Sequence, residues 1–162
     1  MCTENVLATN LPMIGWREWL ILPDLNIPGI KAKIDTGART STLHAFRVEP
    51  YRKCHQPWVR FAIHSNQYNT RNCIECHAAV KDQRMVSDSG GHKQLRYIIE
   101  TQMCIGHHAF VAEMTLTCRD DMRFRMLLGR TALNGRFIVD SRASYLFGKH
   151  SLLARQSTGD PE

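Results

Sequence analysis

The chain has 162 residues, a hydrophobic fraction of 43% and a formal charge of +6. That length favours one domain burying roughly 70% of its unfolded surface, and the composition excludes a disordered or collagen-like chain. No apolar run approaches the ~20 residues that cross a bilayer as a helix. Residues 1–5 lack the basic start and apolar centre of a signal peptide, so a cytoplasmic protein with free thiols on its six Cys is expected.

The positive charge invites a nucleic-acid reading. Yet the Lys and Arg are spread along the chain without a dense run, so nucleic acid is not the expected partner. A basic pocket for an acidic substrate accounts for the charge equally well.

Residues 1–12 are expected to form a flexible N-terminal arm. Residues 16–22 read as a strand. Turn formers crowd residues 23–29 and lead as a hairpin into Ile30-Lys31-Ala32-Lys33-Ile34. There Ile30, Ala32 and Ile34 share one face, and Lys31 and Lys33 the other. This strand delivers Asp35 to a turn at Thr36-Gly37. An acid set at a tight turn by a rigid strand is a sound base for a site. The plainer reading is a strand end whose Asp and Thr cap backbone groups.

Residues 42–48 are the next expected strand. Another spans 58–64, with Val59, Phe61 and Ile63 on one face. Residues 64–77 are polar and poorly periodic, and read as a loop or insertion. Residues 78–86 and 95–103 flank Gly90-Gly91 as the arms of a hairpin. Gly106-His107-His108 reads as a solvated turn before a strand over 109–118. Segments 123–128, 136–139 and 144–147 supply the last strands, and 149–162 is an expected disordered tail. Met103, Met114 and Met126 read as core filler. Many short strands without a long amphipathic helix predict an all-β barrel over residues 13–148.

Three landmarks then carry a resemblance. They are Asp35-Thr36-Gly37-Ala38, then Ser89-Gly90-Gly91-His92, then Met126-Leu127-Leu128-Gly129-Arg130 followed by Thr131-Ala132-Leu133. In this order they resemble the acid loop, flap tip and Gly-Arg helix start of the retropepsin-like aspartic peptidases. The run from Gly15 to Gly148 is also similar to a bacterial branch labelled ATP-dependent zinc protease. The resemblance implies a closed acid-protease barrel with a flap hairpin and one short C-terminal helix. It implies that Asp35 is the general acid and base, that Thr36 bridges a dimer axis, and that Gly37 lets the backbone approach substrate. Leu127, Leu128 and Gly129 would form the strand under Asp35. Ala38, Arg39, Gly90, Gly91, Leu128, Gly129 and Arg130 would line the substrate.

The chemistry sets a further requirement. Aspartic catalysis needs two carboxyls side by side; like charges at ~3 Å do not both ionise easily, so the pair shares a proton. One Asp-Thr-Gly in one domain means that the second acid comes from a second copy across a two-fold axis. The expected protein is therefore a homodimeric peptidase.

Arg39 stands where viral members carry an acid that pairs with the Arg of the Gly-Arg motif. Arg130 thereby loses its usual partner, and Asp121 or Asp140 is the local acid that could replace it. A cleft lined by Arg39 and Arg130 would favour acidic peptides. The resemblance also implies an association with ATP-grasp ligases that add glutamates to protein tails, to which trimming of acidic or polyglutamate tails would be the natural partner activity.

Cys54-His55 and Cys73-Ile74-Glu75-Cys76-His77 have zinc-like spacing. The chain has no His-Glu-x-x-His and no phosphate-binding Gly-x-x-x-x-Gly-Lys loop, so no cofactor and no catalytic metal is expected. A structural zinc on Cys54, Cys73, Cys76 and His77, in a zinc-stabilised regulator, is one alternative. The other is a non-catalytic barrel that binds peptide or nucleic acid. A pure binder has no need for an acid on a symmetry axis, where ionisation is costly.

Overall fold

In a computed structural model of the chain, residues 10–64, 73–87, 90–118 and 123–148 are described. The strands in chain order begin with β1 (Met13–Ile14), β2 (Arg17–Leu22), β3 (Ile27–Ile34) and β4 (Ser41–His44). Then come β5 (Phe46–Lys53), β6 (Gln56–His64), β7 (Cys73–Ala79) and β8 (Asp82–Ser87). The last are β9 (Lys93–Ile105), β10 (His108–Thr117), β11 (Met126–Leu128) and β12 (Ile138–Val139), with one helix, α1 (Arg130–Leu133), before β12.

Six strands pair in the order β10-β4-β11-β3-β2-β9, and β9 pairs back onto β10. The ring closes into a barrel and leaves no open edge among these six, which is what an all-β domain needs to avoid edge pairing. The expected fold class is therefore the observed one. Alternation explains the wall: Ile30, Ala32 and Ile34 of β3 point into the core, and Leu20 and Leu22 of β2 do the same. Met103, Met114 and Met126 are fully buried core residues, as read from the sequence. The turn at Pro23–Leu25 is a 3-10 turn closed by Asn26 in the left-handed region, and it buries Leu25.

Outside the ring, β8 extends β9 as the second arm of a hairpin, with Ser87 paired to Lys93. Gly90 and Gly91 lie in its tip, where Gly91 has φ +80, a value that favours glycine. β1 and β12 pair in parallel. β5, β6 and β7 form a separate three-stranded sheet. No helix among the described residues is long and apolar enough to cross a membrane.

Several elements differ from the sequence reading. The expected strand 42–48 is two strands, because Ala45 donates to the Thr117 carbonyl (2.9 Å) and Arg47 turns through φ 52. The chain leaves the barrel there for the three-stranded sheet. The expected loop over 64–77 includes the first five residues of β7, 73–77. Its Cys76 and Ala78 are buried while Cys73, Glu75, His77 and Ala79 are exposed, a period of two hidden by small and polar residues. Residues 65–72 lie outside the described residues. Ala78 and Ala79 belong to β7, so the hairpin arm starts only at Asp82.

The turn at Gly106 and His107 is present, but His108 is half-buried against the edges of Phe137 and Phe147 (5.6 and 5.4 Å). The expected strand over 144–147 does not form. Its Leu146 and Phe147 amides go instead to the Glu18 side chain, and its Tyr145 amide to the Arg17 carbonyl (2.9 Å). Residues 1–9, Ser89, Asp121 and the tail 149–162 lie outside the described residues.

Candidate active site

β3 ends at Ile34, whose amide donates to the Trp16 carbonyl (2.8 Å). Asp35 follows, half-buried, and its own amide donates to the Leu128 carbonyl of β11 (2.9 Å). The acid is thus fixed from two sides before its side chain makes any contact. The turn closes when the Gly37 amide donates to Asp35 Oδ1 (3.0 Å) and the Ala38 amide donates to the Asp35 carbonyl (3.2 Å). Asp35 Oδ2 has no hydrogen-bond partner among the described residues. One carboxylate oxygen is therefore held by the loop and the other is not.

The second half of the site is the start of α1. Helix N-termini leave amides without intrahelical partners. Here the Arg130 amide donates to the Ala38 carbonyl (2.8 Å) and the Thr131 amide to the Arg39 carbonyl (2.9 Å). The helix start is satisfied by the acid loop, and the loop is held by the helix. Arg130 Nη1 adds a bond to the Thr36 carbonyl (3.0 Å).

Gly129 sits where these pieces meet. A Cβ there would stand 2.7 Å from the Thr40 carbonyl carbon and 3.0 Å from the Ala38 oxygen. Its φ of −95 and ψ of 179 suit any residue, so the requirement is space and not conformation. Gly129→Ala must push backbone atoms apart, which overpacking data put at about 1–3 kcal/mol. A melting temperature lowered by roughly 3–10 °C with reduced activity is expected; an unchanged melt would show that the loop yields freely.

The structure brings Asp35, Thr36, Gly37, Ala38, Leu128, Gly129 and Arg130 into one bonded unit. Arg39 contributes its carbonyl, while its side chain is exposed and has no partner among the described residues. Gly90 and Gly91 are exposed at the hairpin tip, with nothing within 4 Å of a Cβ placed on Gly91. Asp140, an expected partner for one of the arginines, is occupied otherwise. Its Oδ1 accepts from the Arg142 amide (2.9 Å) and Nε (3.3 Å), and the amide bond holds its carboxyl below the usual range.

Two supports were missed by the sequence reading. Ser41 is fully buried and its Oγ accepts the Gly129 amide (3.0 Å). Glu18 is fully buried too, and accepts three amides: Gly15 (2.8 Å) and Leu146 (3.0 Å) on Oε2, and Phe147 (3.3 Å) on Oε1. It ties the corner before β2 to the segment after β12, and the same corner supplies the Trp16 carbonyl that holds Ile34. A signal for Glu18 was present, because it shares the parity of Leu20 and Leu22 and so faces the core.

The zinc-like cysteines do not converge. Cys54 and His55 form the two-residue β5–β6 turn, both with positive φ, as a type I′ hairpin turn requires. Cys76 is buried, its Sγ donating to the Leu25 carbonyl (3.5 Å), and burial pushes its thiol up to about 12. Cys73 is exposed on β7. Among the described residues, no three His, Cys, Asp or Glu side chains are grouped to hold a metal.

Comparisons with known proteins bear on the fold and the family. A protein of unknown function from Legionella pneumophila, solved by crystallography, superposes with a TM-score of 0.69 over 84% of this chain and 98% of that one, at 22% identity; this is a likeness of fold. A protein from Shewanella halifaxensis named probable alpha-L-glutamate ligase is 39% identical over 90% of this chain and 32% of its own length. One of the same name from Parasynechococcus marenigrum is 40% identical over 84% of this chain and 29% of its own. The chain therefore spans about a third of the length of these curated relatives. A family model described as RimB-like, retropepsin-like aspartic endopeptidase RimB, matches residues 13–150. The chain, with its closed barrel, Asp35 loop and Gly129-Arg130 helix start, belongs to the RimB-like family of retropepsin-like proteins.

Proposed function

We propose that the chain is an aspartic peptidase, active as a homodimer, that trims acidic tails. The observation carrying this is the Asp35 loop: a half-buried carboxylate with one oxygen held, braced by β11 and the start of α1. Such bracing is what precise proton transfer requires. One chain supplies one such loop, so the working site joins Asp35 of two copies. One carboxylate takes a proton from water as its oxygen attacks the scissile carbonyl. The other, protonated, polarises that carbonyl. Collapse of the tetrahedral species, with a proton passed to the amine, releases two fragments. Thr36 bridges the two loops behind the acids, and the Gly90-Gly91 hairpin closes over bound peptide to exclude water.

The substrate reading rests on Arg39 and Arg130. Arg130 is bound to a backbone carbonyl and Arg39 to no described side chain, so neither charge is neutralised by an internal acid among the described residues. Glutamate side chains would complete them. A glutamate ligase name on proteins that share this region fits the same product chemistry, and hydrolysis of glutamyl tails would reverse what such a ligase makes.

The test measures cleavage of acidic, neutral and basic peptides across a range of protein concentrations. Specific activity is expected to rise with concentration until the dimer saturates. Arg39→Ala should lower kcat/KM for the acidic peptide about tenfold, the scale of one charged hydrogen bond, and spare the neutral one. Equal cleavage of all three peptides by the wild type would end the substrate reading, and concentration-independent activity from a monomer would end the dimer.

A further inference from the structure

The peptidase reading leaves the β5–β6–β7 sheet without a task. Its inner face is core: Val59, Phe61 and Ile63 of β6 and Cys76 and Ala78 of β7 are buried. Its outer face gathers rings and cations that are distant in sequence or alternate within strands. Tyr51 and Trp58 are cross-strand partners with ring centroids 6.5 Å apart. Lys53 Nζ lies 4.4 Å from the Trp58 centroid. The Tyr51 hydroxyl is 3.0 Å from His77 Nδ1, and His77 Nε2 is 3.2 Å from a Glu75 oxygen. These two contacts fix the ring's orientation.

Arg60 stands beside Tyr51 and is paired with Glu49. Shallow grooves of about 290 and 190 Å³ lie on either side of that pair, one lined by Tyr51 and His77, the other by Arg47 and Glu75. Arg47, Lys53 and Arg60 supply the cations of this face, and Glu49 and Glu75 its acids. Glu49 is paired with Arg60, and Glu75 is hydrogen-bonded to His77. Arg60 has five donors, so pairing with Glu49 does not exhaust it. Arg47 and Lys53 lie against rings instead.

We propose that this outer face binds single-stranded RNA. Aromatic faces stack splayed bases and nearby cations take the phosphates, a pairing that a sheet surface can present without entering a groove. An acidic peptide would use the cations but not the rings. A duplex keeps its bases stacked inside and would leave Tyr51 and Trp58 unused. The site is separate from the Asp35 loop and does not depend on the peptidase reading.

The experiment titrates fluorescein-labelled oligouridine with the full chain and follows anisotropy at several salt concentrations. Contacts from Arg47, Lys53 and Arg60 to phosphate predict a slope of log affinity against log salt of about −2, from roughly 0.7 per contact on a single strand. Tyr51→Leu and Trp58→Leu should each weaken binding about tenfold, and Trp58→Phe should restore most of it. The exposed substitutions Lys53→Ala and Arg47→Ala, which disturb no core residue, should each flatten the slope by about 0.7. Asp35→Asn should bind as the wild type does. Absence of RNA binding at low salt would overturn the proposal. So would affinity indifferent to both Tyr51→Leu and Trp58→Leu, or a polyglutamate peptide that binds this face more tightly than RNA.

Discussion

Asp35→Asn is expected to abolish peptide hydrolysis while leaving the fold intact. The variant removes the titratable group, and general acid-base groups contribute on the order of 10²–10⁴ in rate. In a site built from two copies, one substitution removes both members of the pair, so the loss belongs at the upper end of that range. The fold should hold because Asn keeps an Oδ1 that can still accept the Gly37 amide. The bonds from the Asp35 amide to Leu128 and from the Ala38 amide to the Asp35 carbonyl are backbone and are unchanged. A melting temperature close to the wild type, with no measurable turnover, is the expected pair of results. Turnover near wild type in a purified sample would remove Asp35 from the chemistry. Loss of both activity and fold would instead make its side chain a structural cap.

The largest stability effect is expected at a residue outside the acid loop. Glu18→Ala strips the acceptor from the amides of Gly15, Leu146 and Phe147. A buried donor left without a partner costs about 1–3 kcal/mol, and the Gly15 contact is the buried one. With partial rescue of the other two by water, a loss of about 3 kcal/mol is expected. For a domain of this size that lowers the melting temperature by roughly 6–12 °C. Glu18→Gln should fall between the two. Its amide oxygen can replace Oε2 for Gly15 and Leu146, but its NH₂ then faces the Phe147 donor. Thermal melts of the three proteins check the ranking, and hydrogen exchange over residues 143–147 should rise first in Glu18→Ala. A melt of Glu18→Ala within 2 °C of the wild type, set against those ~6–12 °C, would mean that the clamp carries no load. Activity should fall less than stability, since Glu18 reaches Asp35 only through the Trp16 carbonyl and the Ile34 amide.

The barrel and the outline of the candidate site were legible without coordinates, and the reason is local. β3 alternates cleanly, so its inner face and its delivery of Asp35 follow from a period of two. The Asp35-Thr36-Gly37-Ala38 loop and the Leu128-Gly129-Arg130 helix start are short contiguous motifs, each determined by its own residues. What the sequence did not disclose depends on partners far apart along the chain. Ser41 and Gly129 are separated by 88 positions, and Arg130 and Thr36 by 94. Parity placed Glu18 inward, yet which amides it would receive depended on how the chain returns after β12. The segment at Ser144 looked like a strand because its residues suit one, but a carboxylate took amides that a neighbouring strand would otherwise have used. β7 was lost among small and polar residues until β6 supplied its pairing partner. The cations of β5 and β6 looked dispersed in the sequence. Pairing of the two strands put Lys53 and Arg60, with Tyr51 and Trp58, on a single face, because side chains two apart along a strand share a side and pairing sets them beside those of the next strand.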